Sequence, residues 1–174
     1  PSALAKNNKN ADVRVVLPLH KSIKEKFIKE LQFVGETYVY LSWRCQYCGI
    51  FSCVRGGVTY YFIDNEYYFN RNMAYGDYDD AERYGFFGKA VLDIMPIIDF
   101  YPDILHANDW QSSMSIIYLK RKYAFSKEYE KRIWQKSWRT SFAAIGSVCV
   151  AVCWYRCCTQ YPGCTNGILS DATS

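Results

Sequence analysis

The stretch from Tyr101 to Trp110 reads Tyr-Pro-Asp-Ile-Leu-His-Ala-Asn-Asp-Trp and joins a short apolar run to a group of polar residues. The run from Asp103 to Leu105 indicates a brief buried strand, and a helical pattern follows it. In an open α/β sheet, ligands bind beyond the carboxyl ends of parallel strands. His106 and Asp109 stand at such an end and are therefore candidate site residues. On spacing alone, the simpler interpretation is that they cap the loop, with Asp109 as the N-cap of the next helix.

Length and composition predict one ordered core. The chain has 174 residues, of which 50% are hydrophobic and 18% aromatic, so it can bury a core and is no disordered segment. The net charge of +4 is mild and scattered. Because a nucleic-acid binder shows a denser basic stripe, we expect no nucleic-acid partner.

The beginning of the sequence bears on its cellular location. Pro1 is not followed by a charged and then apolar leader, so we expect a cytoplasmic protein whose true start lies upstream. The apolar run from Phe142 to Tyr155 is too short to cross a membrane, which takes about 20 residues, so we expect no membrane partner. Without an export signal, disulfides are the weaker expectation for the eight cysteines.

The first half of the chain alternates strand and turn signals. Ala11 to Leu17 is a β-branched run that predicts a strand, and helix-like spacing follows from Lys21 to Lys29. A helix end and a polar loop before this strand make half of a βαβ unit, which implies an earlier strand. Three further strand-like runs, with Gly56-Gly57 as a hairpin signal between the last two, predict an inserted antiparallel meander. These runs cover residues 33–43, 47–54 and 58–63.

The second half predicts helices on either side of the opening strand. Residues 64–80 form an aromatic-rich loop, whose rings either pack on the domain or stack on a ligand. Asp79 or Asp80 then caps a helix that ends before Pro96, and a second amphipathic helix follows Trp110. This order of elements predicts a doubly wound α/β domain.

Four segments occur in the order and at the spacing typical of one family. Through these four segments, the chain from Pro1 to about Lys131 resembles the N-terminal catalytic domain of bacterial glycogen synthases and plant starch synthases. The resemblance implies a partial Rossmann-like domain of a GT-B glycosyltransferase with an antiparallel β insertion. The segments are Asp12–Pro18, Gly57–Asn65, Tyr78–Arg83 and Pro102–Gln111.

The resemblance also implies an activity and a set of site residues. Such enzymes transfer glucose from ADP-glucose to the non-reducing end of an α-1,4-glucan with retention, and need no metal or other cofactor. Asp109 matches the family's acidic cleft residue, and Tyr75 is an alternative to Tyr78 as the ring beside the acceptor. The residues carried over are His106 and Asp109 as catalytic, and Tyr78, Asp79, Asn108 and Trp110 as substrate-binding.

The sequence departs from the family pattern at both ends. The family's first strand, its Lys-Thr-Gly-Gly-Leu loop and the nucleotide-binding second domain are absent, so we expect the chain alone to be inactive. Residues 132–174 form a Cys- and Trp-rich tail without helix or strand periodicity or the family's Phe-Thr-Val-His-Asn-like motif. We interpret this tail as unrelated to residues 1–131 and as the product of a reading-frame shift. A zinc or disulfide module is the alternative, although the cysteines form no Cys-x-x-Cys pairs there.

Two other classes of function compete with catalysis. A non-catalytic glucan-binding fragment keeps the aromatic loop and the cleft face, and a cysteine-based metal protein would need bound zinc. Cys45 and Cys48 form a Cys-x-x-Cys between two predicted strands, where packing is a simpler role than redox chemistry. His20 fits a surface loop better than the cleft.

Overall fold

The computed structural model describes residues 11–123, 125, 126, 129 and, as backbone, 151–157. In this part of the chain six strands form one sheet in the order β2-β3-β4-β1-β6-β5. The strands are β1 (Ala11–Pro18), β2 (Gln32–Leu41), β3 (Arg44–Arg55), β4 (Val58–Asp64), β5 (Ile104–Asn108) and β6 (Ala151–Cys157). The helices are α1 (Lys21–Phe27, followed by a 3₁₀ turn at Ile28–Glu30), α2 (Glu66–Phe69), α3 (Asp80–Asp93) and α4 (Trp110–Tyr118, continued by a π turn at Leu119–Tyr123).

The sheet combines a parallel centre with an antiparallel meander. β1 pairs with β4 in parallel, while β2, β3 and β4 pair antiparallel in succession. Gly56 and Gly57 have φ values of 59° and 78°, which suit a hairpin turn that only glycine adopts easily. The predicted α/β fold with an antiparallel insertion is therefore confirmed, as is the glycine turn.

The strand β3 begins three residues earlier than predicted. It starts at Arg44, so Cys45 and Cys48 lie within this strand, and their predicted place between two strands is wrong. Residues three apart on a strand face opposite sides. Cys48 is fully buried, and burial raises the pKa of its thiol to about 12, whereas Cys45 is exposed. A packing role follows, because Cys48 forms no thiolate at neutral pH.

The predicted loop after β4 contains a short helix. The Asn65 side chain accepts a hydrogen bond from the Tyr68 backbone N–H at 2.9 Å and caps α2. Tyr68 and Phe69 are fully buried, whereas Tyr67 is half exposed. Part of the aromatic loop therefore packs against the domain. Fewer irregular residues remain that could contact a ligand.

Two helices cover one face of the sheet. In α3, every residue from Arg83 to Leu92 is buried, because the sheet lies on one side of the helix and α4 on the other. The sequence predicted a single apolar face that included Ala81, which is exposed. No helix among the described residues is long and apolar enough to cross a membrane. The core on this face includes Val16, Val39, Ile50, Ile63, Phe86, Phe87, Val91 and Leu105.

One strand comes from a segment without strand periodicity. β6 lies between β1 and β5 and pairs antiparallel with both. The sequence predicted no strand in 132–174, and this expectation is wrong at residues 151–157. The predicted helix end at Ser2–Lys6 and the rest of the tail, residues 132–150 and 158–174, lie outside the described residues.

Gly88 allows α3 and α4 to approach closely. A Cβ at this position would lie 2.7 Å from the Ser115 backbone nitrogen and 2.8 Å from the Met114 Cβ. Gly85 lies one turn earlier on the same helix, and a Cβ there would meet nothing nearer than the Tyr118 hydroxyl at 3.9 Å. The two glycines therefore differ in packing although they share a helical backbone.

We expect Gly88→Ala to destabilise the fold by about 1–3 kcal/mol, because the new methyl forces the two backbones apart. Gly85→Ala is the matched control and should be neutral or stabilising by about 0.5–1 kcal/mol, since alanine favours a helix over glycine. Chemical denaturation followed by circular dichroism measures both changes. Equal stabilities for the two variants would contradict the packing account.

His20 is mostly buried, so its interpretation as a surface-loop residue is wrong. It follows β1, and its ring packs edge-on against Phe69 with centroids 5.7 Å apart. Both ring nitrogens are buried without a hydrogen-bond partner. Burial, together with the positive charge of Arg83, lowers the pKa of His20 to about 4.

This shift predicts a pH-dependent stability. Between pH 4 and 6.5, His20 is neutral in the folded state and protonated in the unfolded state, so the free energy of unfolding falls as pH falls. From about pH 7 to about pH 5, His20 should account for a loss of about 2 kcal/mol. Denaturation of the wild-type protein and of His20→Phe at both values isolates this contribution. A loss of the same size in the variant would show that other groups cause it.

Candidate functional site

The carboxyl ends of β1, β2, β4 and β5 point to one edge of the sheet. β2 is parallel to β4, because both are antiparallel to β3. β1 is parallel to β4, and because β1 and β5 are both antiparallel to β6, they are parallel to each other. His20 follows β1, Asn65 follows β4 and Asp109 follows β5. This edge is where an open α/β sheet binds ligands, and we call it the carboxyl edge.

Asp109 turns the chain from β5 into α4 in a strained conformation. Its φ of 64° and ψ of 171° lie in a region that is almost restricted to glycine and costs about 1–3 kcal/mol for other residues. Its Oδ1 accepts a hydrogen bond from the Trp110 backbone N–H at 2.7 Å. The predicted N-cap role is therefore confirmed. A cap does not by itself require this backbone strain.

His106 and Asn108 lie on the same face of β5. Successive side chains of a strand alternate between faces, and Leu105 belongs to the core that packs on the helices. The two candidates therefore lie on the opposite face of the sheet. His106 is half-buried. The Asn108 carbonyl accepts a hydrogen bond from Ser112 Oγ at 2.5 Å, which ties the end of the strand to α4.

Trp110 is both a packing residue and an accessible ring. It is the first residue of α4, and its ring contacts Tyr84 edge-on with centroids 5.3 Å apart. Its side chain is 43% exposed. One edge of the indole is thus held by α3 while part of the ring stays open to a ligand.

Arg83 organises the loop that precedes α3. It is fully buried, and its Nη1 donates to Asp77 Oδ2 at 2.9 Å and to Asp80 Oδ1 at 2.6 Å. Its Nε donates to the Tyr68 carbonyl at 2.8 Å. The sequence pattern did not mark Arg83 as a site residue. The available signal was a charged residue directly before the apolar Tyr-Gly-Phe-Phe run of α3.

The same loop presents the predicted acceptor residues in different ways. The Asp79 side chain is 8% exposed, its Oδ2 accepts a hydrogen bond from Arg71 Nη2 at 2.9 Å, and its Oδ1 has no partner. Asp79 occupies the cap position of α3, but its side chain does not cap the helix. Tyr78 is 96% exposed and Tyr75 is 46% exposed, so neither ring is packed firmly against the rest of the domain.

The loop also contains a cluster of three carboxylates. Oxygen atoms of Asp77, Asp79 and Asp80 lie within 4.8 Å of one another, a spacing that could hold a cation. Each carboxylate is, however, already paired with Arg71 or Arg83. Because two guanidinium groups neutralise most of its charge, the cluster is better suited to ordering the loop than to binding a metal.

Comparison with known proteins gives consistent matches. The family model described as the starch synthase catalytic domain matches residues 1–134. The glycogen synthase of Clostridium beijerinckii is 51% identical over 123 residues, which cover 71% of this chain and 25% of the relative. That of Natranaerobius thermophilus is 47% identical over 131 residues, covering 75% of this chain and 26% of the relative.

A solved structure supports the same fold. The catalytic domain of starch synthase IV from Arabidopsis thaliana, bound to ADP and acarbose, is 24% identical with a TM-score of 0.56, covering 63% of this chain and 23% of that one. The described fold is accordingly a partial Rossmann-like domain of the GT-B type. The chain spans about a quarter of the length of the relatives that it matches. On the match over residues 1–134, the chain belongs to the family of starch synthase catalytic domains.

Proposed function

We propose that this chain is part of a glycogen synthase that transfers glucose from ADP-glucose to the non-reducing end of an α-1,4-glucan with retention. The observation that carries the proposal is the strained Asp109 at the carboxyl end of β5. Backbone strain persists where the surrounding structure enforces it, and it clusters at functional sites. Family membership supports the reaction class, and the position of Asp109 supports its place in the reaction.

In this proposal, residues around β5 stabilise the transferring sugar. The transition state of glucosyl transfer has oxocarbenium character, with positive charge building at the anomeric carbon. The Asp109 carboxylate, held by the Trp110 N–H, would lie where it stabilises that charge or accepts a hydrogen bond from a sugar hydroxyl. His106 and Asn108 would donate hydrogen bonds to the sugar. The chain would act mainly by positioning and electrostatics.

The loop before α3 would hold the acceptor glucan. The unpartnered Asp79 Oδ1 can accept a hydrogen bond from a sugar hydroxyl after a small side-chain movement. Tyr78 or Tyr75 would stack on the apolar face of a glucose ring, and the Arg83 ion pairs would keep the loop in place. As the family resemblance implies, the reaction would need no metal or other cofactor, and in this loop the carboxylates are already paired with arginines. We place the protein in the cytoplasm, in keeping with the free thiols of Cys45, Cys48 and Cys53 among the described residues.

The role of Asp109 can be tested in a chimera. The aligned segment of the C. beijerinckii relative would be replaced by the matching residues of this chain, and labelled glucose transfer from ADP-glucose to glycogen measured. We expect an active chimera whose kcat falls about 10²–10³-fold with Asp109→Asn, since asparagine has nearly the shape of aspartate but lacks the charge.

Asp99 provides a matched control for this variant. It is also an aspartate with positive φ, at 46°, and it is exposed away from a strand end. Asp99→Asn should leave kcat unchanged. An Asp109→Asn chimera with full kcat would overturn the proposed role, while an inactive parent chimera would overturn the proposed reaction for this chain.

We expect the chain by itself to transfer no glucose, because a GT-B site needs groups from two domains and this chain spans about a quarter of its relatives. The same radiolabel assay, run on the purified 174-residue chain with ADP-glucose and glycogen, measures this. Incorporation above that of a heat-denatured sample would contradict the expectation.

A non-catalytic glucan-binding fragment is the alternative function. The observation that favours it is the exposure of Tyr78, Tyr75 and Trp110 beside one loop and strand end. Aromatic contacts of this kind contribute about 0.5–1.5 kcal/mol each. Co-sedimentation of the chain with glycogen separates this function from an inert fragment.

We expect Tyr78→Ala and Trp110→Ala each to weaken glycogen binding by about 3- to 10-fold, the equivalent of one stacking contact. Phe33→Ala is the control, because Phe33 is 52% exposed but lies near the start of β2, at the opposite end of that strand from the carboxyl edge. An equal loss with all three variants would indicate nonspecific adhesion of exposed rings.

A further inference from the structure

A groove lies between the β2–β3 turn and the helices α3 and α4. Its volume is about 410 Å³, within the range of about 300–1,000 Å³ that is typical of small-molecule sites. None of the residues proposed above for glucose transfer or acceptor binding lines this groove. We call it the α3–α4 groove. The lining residues that bear on its chemistry are Trp43, Gly85, Lys89, Tyr118 and Lys122.

Two lysines of the α3–α4 groove share one carboxylate. The Lys89 side chain is only 6% exposed, and it forms an ion pair with Asp93, one turn later on α3. Both oxygens of Asp93 already accept hydrogen bonds, Oδ2 from Lys89 and Oδ1 from the Tyr123 hydroxyl. Among the described residues Lys122 forms no ion pair. Two ammonium groups against one carboxylate leave one excess positive charge.

The two ammonium groups are close enough to repel each other. Lys122 is exposed as a residue, but its ammonium group is partly desolvated. This desolvation, together with the nearby Lys89 ammonium, lowers the pKa of Lys122. The other charged pair of the groove is balanced, because Arg44 and Glu82 form an ion pair at 3.0 Å. An anion at the two lysines would therefore relieve a repulsion that the described residues leave uncompensated.

A π turn positions one of the two lysines. The regular helix α4 ends at Tyr118, and the π turn from Leu119 to Tyr123 carries Lys122. A π turn has more residues per turn than an α-helix, so it changes the direction in which Lys122 leaves the helix. Such turns are rare and occur frequently at functional sites.

The middle of the groove is open, and aromatic rings line it. A Cβ at Gly85 would meet nothing nearer than the Tyr118 hydroxyl at 3.9 Å, so this position leaves room beside the helix. Trp43 lies at the β2–β3 turn and is 87% exposed. Aromatic side chains of this kind pack against the rings of ligands.

We propose that the α3–α4 groove binds a phosphate monoester that carries a ring, with the phosphate at Lys89 and Lys122 and the ring against the aromatic lining. A phosphate monoester has about −1.5 to −2 charges at pH 7 and three acceptor oxygens, so it can contact both ammonium groups at once. Free sugar phosphates and mononucleotides share this chemistry. The inference goes beyond the proposed function and does not depend on it.

Isothermal titration calorimetry of the purified 174-residue chain at low ionic strength tests the proposal. The probes are glucose 1-phosphate and AMP, compared with glucose and inorganic phosphate. We expect saturable binding of at least one of the two organic phosphates, and the tighter of the two identifies the source of the ligand. Inorganic phosphate should bind about 3- to 10-fold more weakly because it lacks the ring contact, and glucose should show no binding.

Two variants assign the binding to the groove. Lys122→Gln removes one ammonium group and should weaken binding of the organic phosphate at least about 10-fold. Gly85→Leu leaves every charge in place but fills the groove, and it should weaken binding to a similar extent. Lys26→Gln is the control, because Lys26 is an exposed lysine on α1 that lies outside the groove, and it should leave binding unchanged.

Three results would overturn the proposal. They are the absence of binding for both organic phosphates, binding of glucose or inorganic phosphate as tight as theirs, and full binding by folded Lys122→Gln or folded Gly85→Leu. A circular dichroism melt confirms that each variant is folded. Because Lys122 is exposed and unpaired among the described residues, its replacement should leave the melting temperature unchanged.

Discussion

The parallel pairing of β1 with β4 is the constraint on which the carboxyl edge depends. Its ladder runs from Arg14 to Pro18, and the Leu19 N–H extends it with a hydrogen bond to the Ile63 carbonyl at 2.8 Å. Parallel strands need a long connection, and here it consists of the short helix α1 followed by the antiparallel strands β2 and β3. The pairing brings the ends of β1, β4 and β5 to one edge, although Pro18 and Asp64 lie far apart in sequence.

One buried arginine, Arg83, orders the loop that precedes α3. Arg83 replaces water around its guanidinium with Asp77, Asp80 and the Tyr68 carbonyl, so its burial is compensated. Removal of its partners would leave an uncompensated buried charge, a change that typically costs about 3–5 kcal/mol. Arg83 therefore couples the fold of the loop to the start of α3, and it holds Tyr78 and Asp79 near the carboxyl edge without touching a substrate itself.

Much of the fold was predictable because the signals were local. The β-branched run of β1, the Gly56-Gly57 turn and the order of strands and helices each follow from short-range rules. The cap role of Asp109 was also predictable from its place before a helix. Its backbone strain was not, because φ at a single non-glycine residue is imposed by the strand and helix that it connects. The burial of His20 could not be predicted either, because it depends on Phe69, a residue distant in sequence.

By itself, the sequence determined the fold class, the family and the identity of the candidate residues, because these depend on residue type, periodicity and motif order. Tertiary structure decided which of these residues meet and in what state. Backbone hydrogen bonds between strands depend little on the identity of the side chains. A tail segment without strand periodicity could therefore enter the sheet as β6 between β1 and β5. Burial, strain and ion pairing at Asp109, Asp79 and Arg83 likewise depend on neighbours that are distant along the chain, and only the folded chain brings them together.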